Sequence, residues 1–304
     1  MEKILIFGHK NPDTDTICSA LAMQDLETKL GKEVKAARLG DLNKETEYAL
    51  KYFNVEAPEK IESLEEGQKV ILVDHNEFGQ SAEGIENAKI QMVVDHHKVA
   101  NFYTSEPLYY IAEPVGCTST IIYELYKKYN VEINEKIAGL MLSAIISDTL
   151  LLKSPTCTEL DIKIATELSN IAKVDLKNYG LEMLKAGTDL GDYTEKELLN
   201  LDAKKTEKSG IKYMIAQVNT VSIEDVLKRK EKIEEVMKET INEENLKLCL
   251  FVITDIINTD SKAIVLGERT DIVEKTYKIE NNVIDMPGVV SRKKQILPFI
   301  EANI

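Results

Sequence analysis

Short apolar runs rich in strand-forming residues alternate with helical patterns through the first third of the chain, and this alternation limits the possible folds most. The runs are Lys3–Phe7, Val34–Arg38, Val70–Val73 and Gln91–Val94, with helical periodicity near Ile17–Leu30 and Thr46–Phe53. Such an order predicts an α/β fold: a mainly parallel sheet flanked by helices, with right-handed crossovers. Further helices are expected at about Thr118–Tyr129, Lys136–Ile146 and Glu159–Ile171, with Asn134 and Thr158 as N-caps.

The chain has 304 residues, 43% of them hydrophobic, more than one core usually absorbs. Two domains are therefore expected. The stretch AGTDLGDY, Ala186–Tyr193, has two glycines, two aspartates and no apolar period, so it reads as a linker. The division is a catalytic domain at 1–187, a hinge at 188–194 and a smaller C-terminal α/β domain at 195–304. In the latter, strands are expected at Tyr213–Val218, Leu248–Thr254 and Ala263–Leu266, with one long helix from Ile223 to about Asn242.

A net charge of −14 without a basic stripe argues against nucleic acid as a partner. No apolar stretch approaches the roughly 20 residues of a membrane helix, so no membrane association is expected. Cys18, Cys117, Cys157 and Cys249 lie far apart, and no cleavable signal precedes the first strand, which suits a reducing cytoplasm.

All four histidines fall in three segments that each follow an expected strand: GHKNPDTD, VDHN and VDHH. In an open parallel sheet ligands bind beyond the carboxyl ends of the strands, so these segments should meet. They offer His9, Asp13 and Asp15, then Asp74, then Asp95, His96 and His97. Asp148 ends the apolar segment GLMLSAIISDT, where a buried carboxylate needs a partner such as a cation.

Imidazoles with carboxylates suit manganese, iron, cobalt or zinc better than magnesium alone, and manganese is the first choice. Asp74, on the middle segment, is the natural bridge between two ions about 3.5–4 Å apart. Singly, each acid reads equally well as a helix cap. The joint occurrence is what points to metal. His75 is read as a solvated loop residue and left out of the site.

GHKNPDTDT, VDHN, VDHH and SRKKQ, in this order, resemble the family II inorganic pyrophosphatases of the DHH phosphoesterase superfamily, and the supporting segments AEPVGCTST, KSPTCT and LDAK agree. The resemblance implies an N-terminal DHH domain in which His9, Asp13, Asp15, Asp74, His96 and Asp148 bind two manganese ions bridged by Asp74, with cobalt or magnesium as substitutes. It implies that His97 contacts the substrate or protonates the leaving phosphate and that Asp95 orients a histidine. Lys204, Arg292 and Lys293 would hold the phosphate, while Lys294 faces solvent. It further implies a homodimer joined through the N-terminal domain.

Two divalent ions against four carboxylates leave the centre nearly neutral, so a highly anionic substrate needs the three basic side chains and a magnesium ion arriving with it. The expected reaction is pyrophosphate hydrolysis by a water or hydroxide activated between two metals, with the C-terminal domain closing over the substrate. The rivals are a DHH phosphodiesterase acting on short oligonucleotides or cyclic dinucleotides, and a non-catalytic metal- or phosphate-binding module. The first would carry a glycine-rich GGGH-type segment, whereas no histidine follows His97.

Overall fold

The computed structural model describes residues 3–188 and 190–304, apart from the side chain of Lys293. The chain divides into two units, the first ending at Gly187 and the second running from Thr188 to Ile304.

In the first unit, six strands lie in one parallel sheet: β1 (Ile4–Phe7), β2 (Val34–Arg38), β3 (Glu59–Lys60), β4 (Lys69–Val73), β5 (Lys89–Asp95) and β6 (Tyr109–Ala112). Their spatial order is β3-β2-β1-β4-β5-β6. The order reverses between β1 and β4, which pair directly through Leu5 with Val70 and Phe7 with Leu72. At such a reversal the connections leave toward opposite faces and a crevice opens beyond the strand ends. The buried run from Val70 to Val73 shows why β4 lacks polar alternation: helices cover both faces of a parallel sheet.

The helices of this unit are α1 (Thr14–Lys29), α2 (Lys44–Tyr52), α3 (Thr118–Lys128), α4 (Glu135–Asp148), α5 (Glu159–Ala172) and α6 (Leu176–Gly187). Asn134 caps α4 by accepting from the Ile137 N–H, and Thr158 caps α5 in a reciprocal box with Asp161. Both α1 and α4 are buried over most of their surface, so neither shows the one-sided pattern of a surface helix.

The second unit holds α7 (Glu195–Asn200), β7 (Ala203–Lys208), β8 (Ile211–Thr220), α8 (Ile223–Leu227), α9 (Lys230–Glu244), β9 (Leu248–Asp255), β10 (Asp260–Leu266), α10 (Asp271–Glu274), β11 (Val283–Met286) and α11 (Leu297–Asn303). The mixed sheet runs β11-β10-β9-β8-β7, with only β8 and β9 parallel. Apolar clusters cover both of its faces, one around Met214, Phe251 and Met237, the other around Leu250, Val265 and Ile300.

The single helix expected from Ile223 to Asn242 is two. Ser222 caps α8 by accepting from the Asp225 N–H, and the chain breaks at Arg229 before α9. The Arg229 guanidinium donates to the Leu190 and Tyr193 carbonyls and to Glu195, which pins that point and overrides the continuous helical pattern. In the linker stretch, α6 extends to Gly187, Thr188 and residues 190–193 are described, and Asp189 lies outside the described residues.

Candidate active site

Every candidate ligand of the first unit sits at a strand end or helix end facing the crevice. His9 follows β1 after Gly8, whose hydrogen occupies space where a Cβ would stand 2.5 Å from the Thr16 methyl. Asp13 is the N-cap of α1: its Oδ1 accepts from the Thr16 N–H at 2.9 Å, while Oδ2 lies 3.4 Å from His9 Nε2. Helix cap and candidate ligand are therefore the same residue. Asp15 lies in the first turn of α1, Asp74 directly follows β4, Asp95 ends β5, and Asp148 ends α4.

Asp74 is the centre of the arrangement. Its Oδ2 is 3.5 Å from His9 Nε2, and its Oδ1 is 3.4 Å from His96 Nε2. His96 Nε2 is in turn 3.6 Å from Asp148 Oδ2. Among the described residues three groups of ligand atoms, each within 4.8 Å of one another, result: Asp74 with His96 and the half-exposed His97, and the two sets taken here as ion-holding, His9, Asp13 and Asp74, and Asp15, Asp74, His96 and Asp148. Those two sets share Asp74 alone. Ligands of one ion at octahedral distances stand about 3 Å apart, so these separations suit a shared cation better than direct hydrogen bonds.

Electrostatics support the fit. Burial and then the Asp74 carboxylate push Asp15 up to about 6. Burial pushes Asp148 well above the carboxylate range, helped by Asp15, Asp13 and Asp74. Asp148 also ends a helix, where the dipole disfavours an anion. Burial would lower both histidines, but Asp13 and Asp74 raise His9 to about 10, and Asp74 with Asp15 raises His96 to about 9. For Asp74, burial acts upward yet His9 and His96 hold it well below its ordinary range. Protons thus stand where cations would supply the same positive charge.

The donor chemistry agrees. His96 donates from Nδ1 to the Val115 carbonyl at 3.1 Å, which turns Nε2 into the cluster, where a cation would take the place of its proton. That Nε2 is buried and meets the criteria for a hydrogen bond with no partner among the described residues, as expected of an atom reserved for a metal. The set of imidazoles and carboxylates therefore fits manganese.

The surrounding layer holds residues the sequence reading did not single out. The Thr16 hydroxyl donates to Asp74 at 2.6 Å and the Thr118 hydroxyl at 3.2 Å. Asp15 accepts from the Ser19 hydroxyl at 2.6 Å and the Thr118 backbone N–H at 2.7 Å, so the positive end of α3 faces it. Asn76 donates to Asp95 at 2.6 Å. The available signal was small hydroxyl residues at helix starts, in TDT and CTST, which caps alone explain equally well.

His97 donates from Nδ1 to Asp95 at 2.9 Å and keeps 53% of its side chain exposed. That hydrogen bond raises its pKa. Burial would raise Asp95, but His97 and Asn76 lower it, so the pair is a carboxylate beside a proton-carrying imidazole.

His75 corrects the sequence reading: it is 3% exposed rather than solvated. The chain turns inward after the buried strand, and the imidazole tilts against Phe7 with ring centroids 6.1 Å apart. Its Nδ1 meets the Val73 carbonyl at 2.9 Å, and burial lowers its pKa.

In the second unit SRKKQ forms a π-helical turn, Arg292–Ile296, after Ser291. Arg292 bonds the Asp202 carbonyl at 2.6 Å and pairs with its carboxylate at 2.8 Å. Lys204 is exposed, and with Thr206, Ile215 and Arg292 it lines a hollow of about 80 Å³. The Lys293 side chain lies outside the described residues, and Lys294 is exposed.

Comparison with known proteins places these features in a class. The family model "DHH family, N-terminal domain" matches residues 3–145, and the "DHHA2 domain" model matches residues 181–303. The manganese-dependent inorganic pyrophosphatase of Bacillus subtilis strain 168 is 56% identical over 303 residues, covering 99% of this chain and 98% of its own. A solved Methanococcus jannaschii structure assigned to family II inorganic pyrophosphatases superposes with a TM-score of 0.76 at 41% identity, covering 100% of this chain and 99% of its own. The chain belongs to the family II, manganese-dependent inorganic pyrophosphatases of the DHH superfamily.

Proposed function

We propose that this chain hydrolyses inorganic pyrophosphate to two phosphates at the Asp74-centred cluster. The observation that carries the reading is the pair of ligand groups sharing one bridging carboxylate, in a chain of this family. His9, Asp13 and Asp74 would hold one manganese ion, and Asp15, Asp74, His96 and Asp148 the other. Cobalt or magnesium, which accept the same donors, would substitute. Bound there, the ions supply Lewis acidity and bring the pKa of water toward neutrality.

The chain's own residues do the rest. Thr16 and Thr118 hold the two Asp74 oxygens, and Asp95 holds His97 and raises its pKa. His97 is thus suited to contact the substrate and protonate the departing phosphate. Arg292 and Lys204, with Lys293, grip the far phosphate, Arg through its planar fork and Lys as a point charge. A magnesium ion carried by the substrate offsets its remaining charge.

The basic side chains and the carboxylate cluster belong to different units, so closure of the second over the first about a hinge at 188–194 completes the site. We assign the enzyme to the cytoplasm as a homodimer joined through the first unit; the four free cysteines suit a reducing compartment. Among the described residues, no helix is long and apolar enough to cross a membrane.

Phosphate release from pyrophosphate, short dinucleotides and long polyphosphate, with manganese and magnesium varied, tests the reading. Manganese-dependent release from pyrophosphate in preference to the others is expected. Turnover of dinucleotides alone would favour a phosphodiesterase, and binding without release would reduce the protein to a sensor.

A further inference from the structure

Asp74 carries the bridging role, yet its backbone is in the left-handed region at φ 59°. Aspartate tolerates this conformation better than most side chains with a Cβ but does not prefer it, so its contacts decide whether it stays there. One restraint is visible in the sheet: the Asp74 N–H donates to the Val94 carbonyl at 2.9 Å. That bond fixes where the residue begins and leaves its ψ free.

The second restraint is His75. Its Nδ1 donates to the carbonyl of Val73 at 2.9 Å, two residues back. The ring closed by this bond runs from the Val73 carbonyl through the whole Asp74 backbone to the His75 side chain. Both soft dihedrals of Asp74 therefore lie inside it. The imidazole is 3% exposed and lies against Phe7, so it cannot swing away without opening the core beneath β1 and β4. Its Nε2 is buried and has no partner, so the one hydrogen bond this ring makes among the described residues is the one across Asp74.

We propose that His75 is a positioning residue that locks Asp74 in its left-handed turn, so that Oδ2 faces His9 while Oδ1 faces His96. This inference rests on the metal-centre reading above. It explains why a buried polar ring stands where an apolar one would pack without leaving a nitrogen unsatisfied. The needed property is a donor at the δ position, not a titrating group.

Manganese titration of the metal-free protein, with the melting temperature of each metal-free variant recorded, tests it. His75→Leu removes the donor and should weaken manganese binding by between about tenfold and a hundredfold, the range for residues that orient ligands. His75→Asn carries an amide N–H at nearly the same place and should bind close to the wild-type level, although both variants leave space in the core and melt earlier. If the leucine variant does not fold, His75→Gln, whose donor sits one carbon further out, takes its place and should bind weakly. Wild-type affinity in the donor-less variant, or losses in both variants that follow melting temperature alone, overturns the proposal. Asp74→Ala separates the two readings: if it binds manganese like the wild type, the metal centre itself is misassigned, whatever His75 does.

Discussion

The acids of the first unit and the cations of the second are held in opposite ways. Asp15, Asp74 and Asp95 are buried, and each accepts at least two hydrogen bonds from neighbouring side chains or backbone. Lys204 is exposed, and Arg292 is tied through Asp202. A resident ion rewards rigid ligands, because each oxygen must stay aimed through many turnovers. A substrate that arrives and leaves is better served by long side chains that can exchange an internal partner for a phosphate oxygen.

The contrast is sharpest at Asp74. Replacing it with Ala removes the one carboxylate common to both ligand groups. Manganese binding and activity should fall together, by more than roughly the hundredfold seen when a residue merely orients a ligand. Metal analysis after dialysis, beside a phosphate-release assay, checks this. Retained metal with lost activity would show that the first unit is not the metal-holding one.

The next effect is on pH. In the metal-free protein Asp15 titrates at about 6, His96 at about 9, and Asp148 well above its ordinary value. These groups hold protons that a cation must displace, so affinity rises as pH rises and falls as pH falls. Asp15 adds to the slope below about 6, and from there the manganese affinity should keep climbing to about 9 through His96 and to about 10 through His9, roughly tenfold per pH unit for each proton displaced. Calorimetric titration in buffers of different ionisation enthalpy measures the protons released. A flat profile across that window would mean the cluster is already deprotonated without metal.

Arg292→Ala should act on the other side of the comparison. Metal content stays intact, while KM for pyrophosphate rises by about 10- to 100-fold, the loss of one charge-assisted contact. Steady-state kinetics at saturating manganese measures it. A drop in metal content here would erase the proposed division between the units.

Much of the first unit was readable because its signals are local and repeated. Three strands end in His- or Asp-bearing turns, and the switch between β1 and β4 gathers them whatever the helices do. The break at Arg229 was not readable, because it depends on carbonyls of Leu190 and Tyr193 far back in the chain. The strands β3, β6, β7 and β11 were also missed; Glu59–Lys60 has no apolar signal and is strand only because Arg38 and Ala37 lie beside it. For His75, a histidine after a strand looks the same whether it points to water or inward, and only the turn at Asp74 decides.

The smallest effect separates members of one motif. By composition alone SRKKQ is a basic patch, and its residues differ in surroundings: Arg292 lines the small hollow with Lys204, while Lys294 is exposed and its backbone N–H merely donates to the Ser291 hydroxyl at 3.2 Å. A cap made through backbone survives loss of the side chain, and an exposed ammonium contributes little at physiological salt. Lys294→Ala should therefore leave KM within roughly twofold of the wild type, the usual span of a surface change. Kinetics run beside Arg292→Ala at equal ionic strength decide it. A loss matching that of Arg292→Ala would mean that the second unit attracts substrate through summed positive charge rather than through particular contacts, and the contrast between placed acids and individually acting cations would give way to one between placed acids and a diffuse basic field.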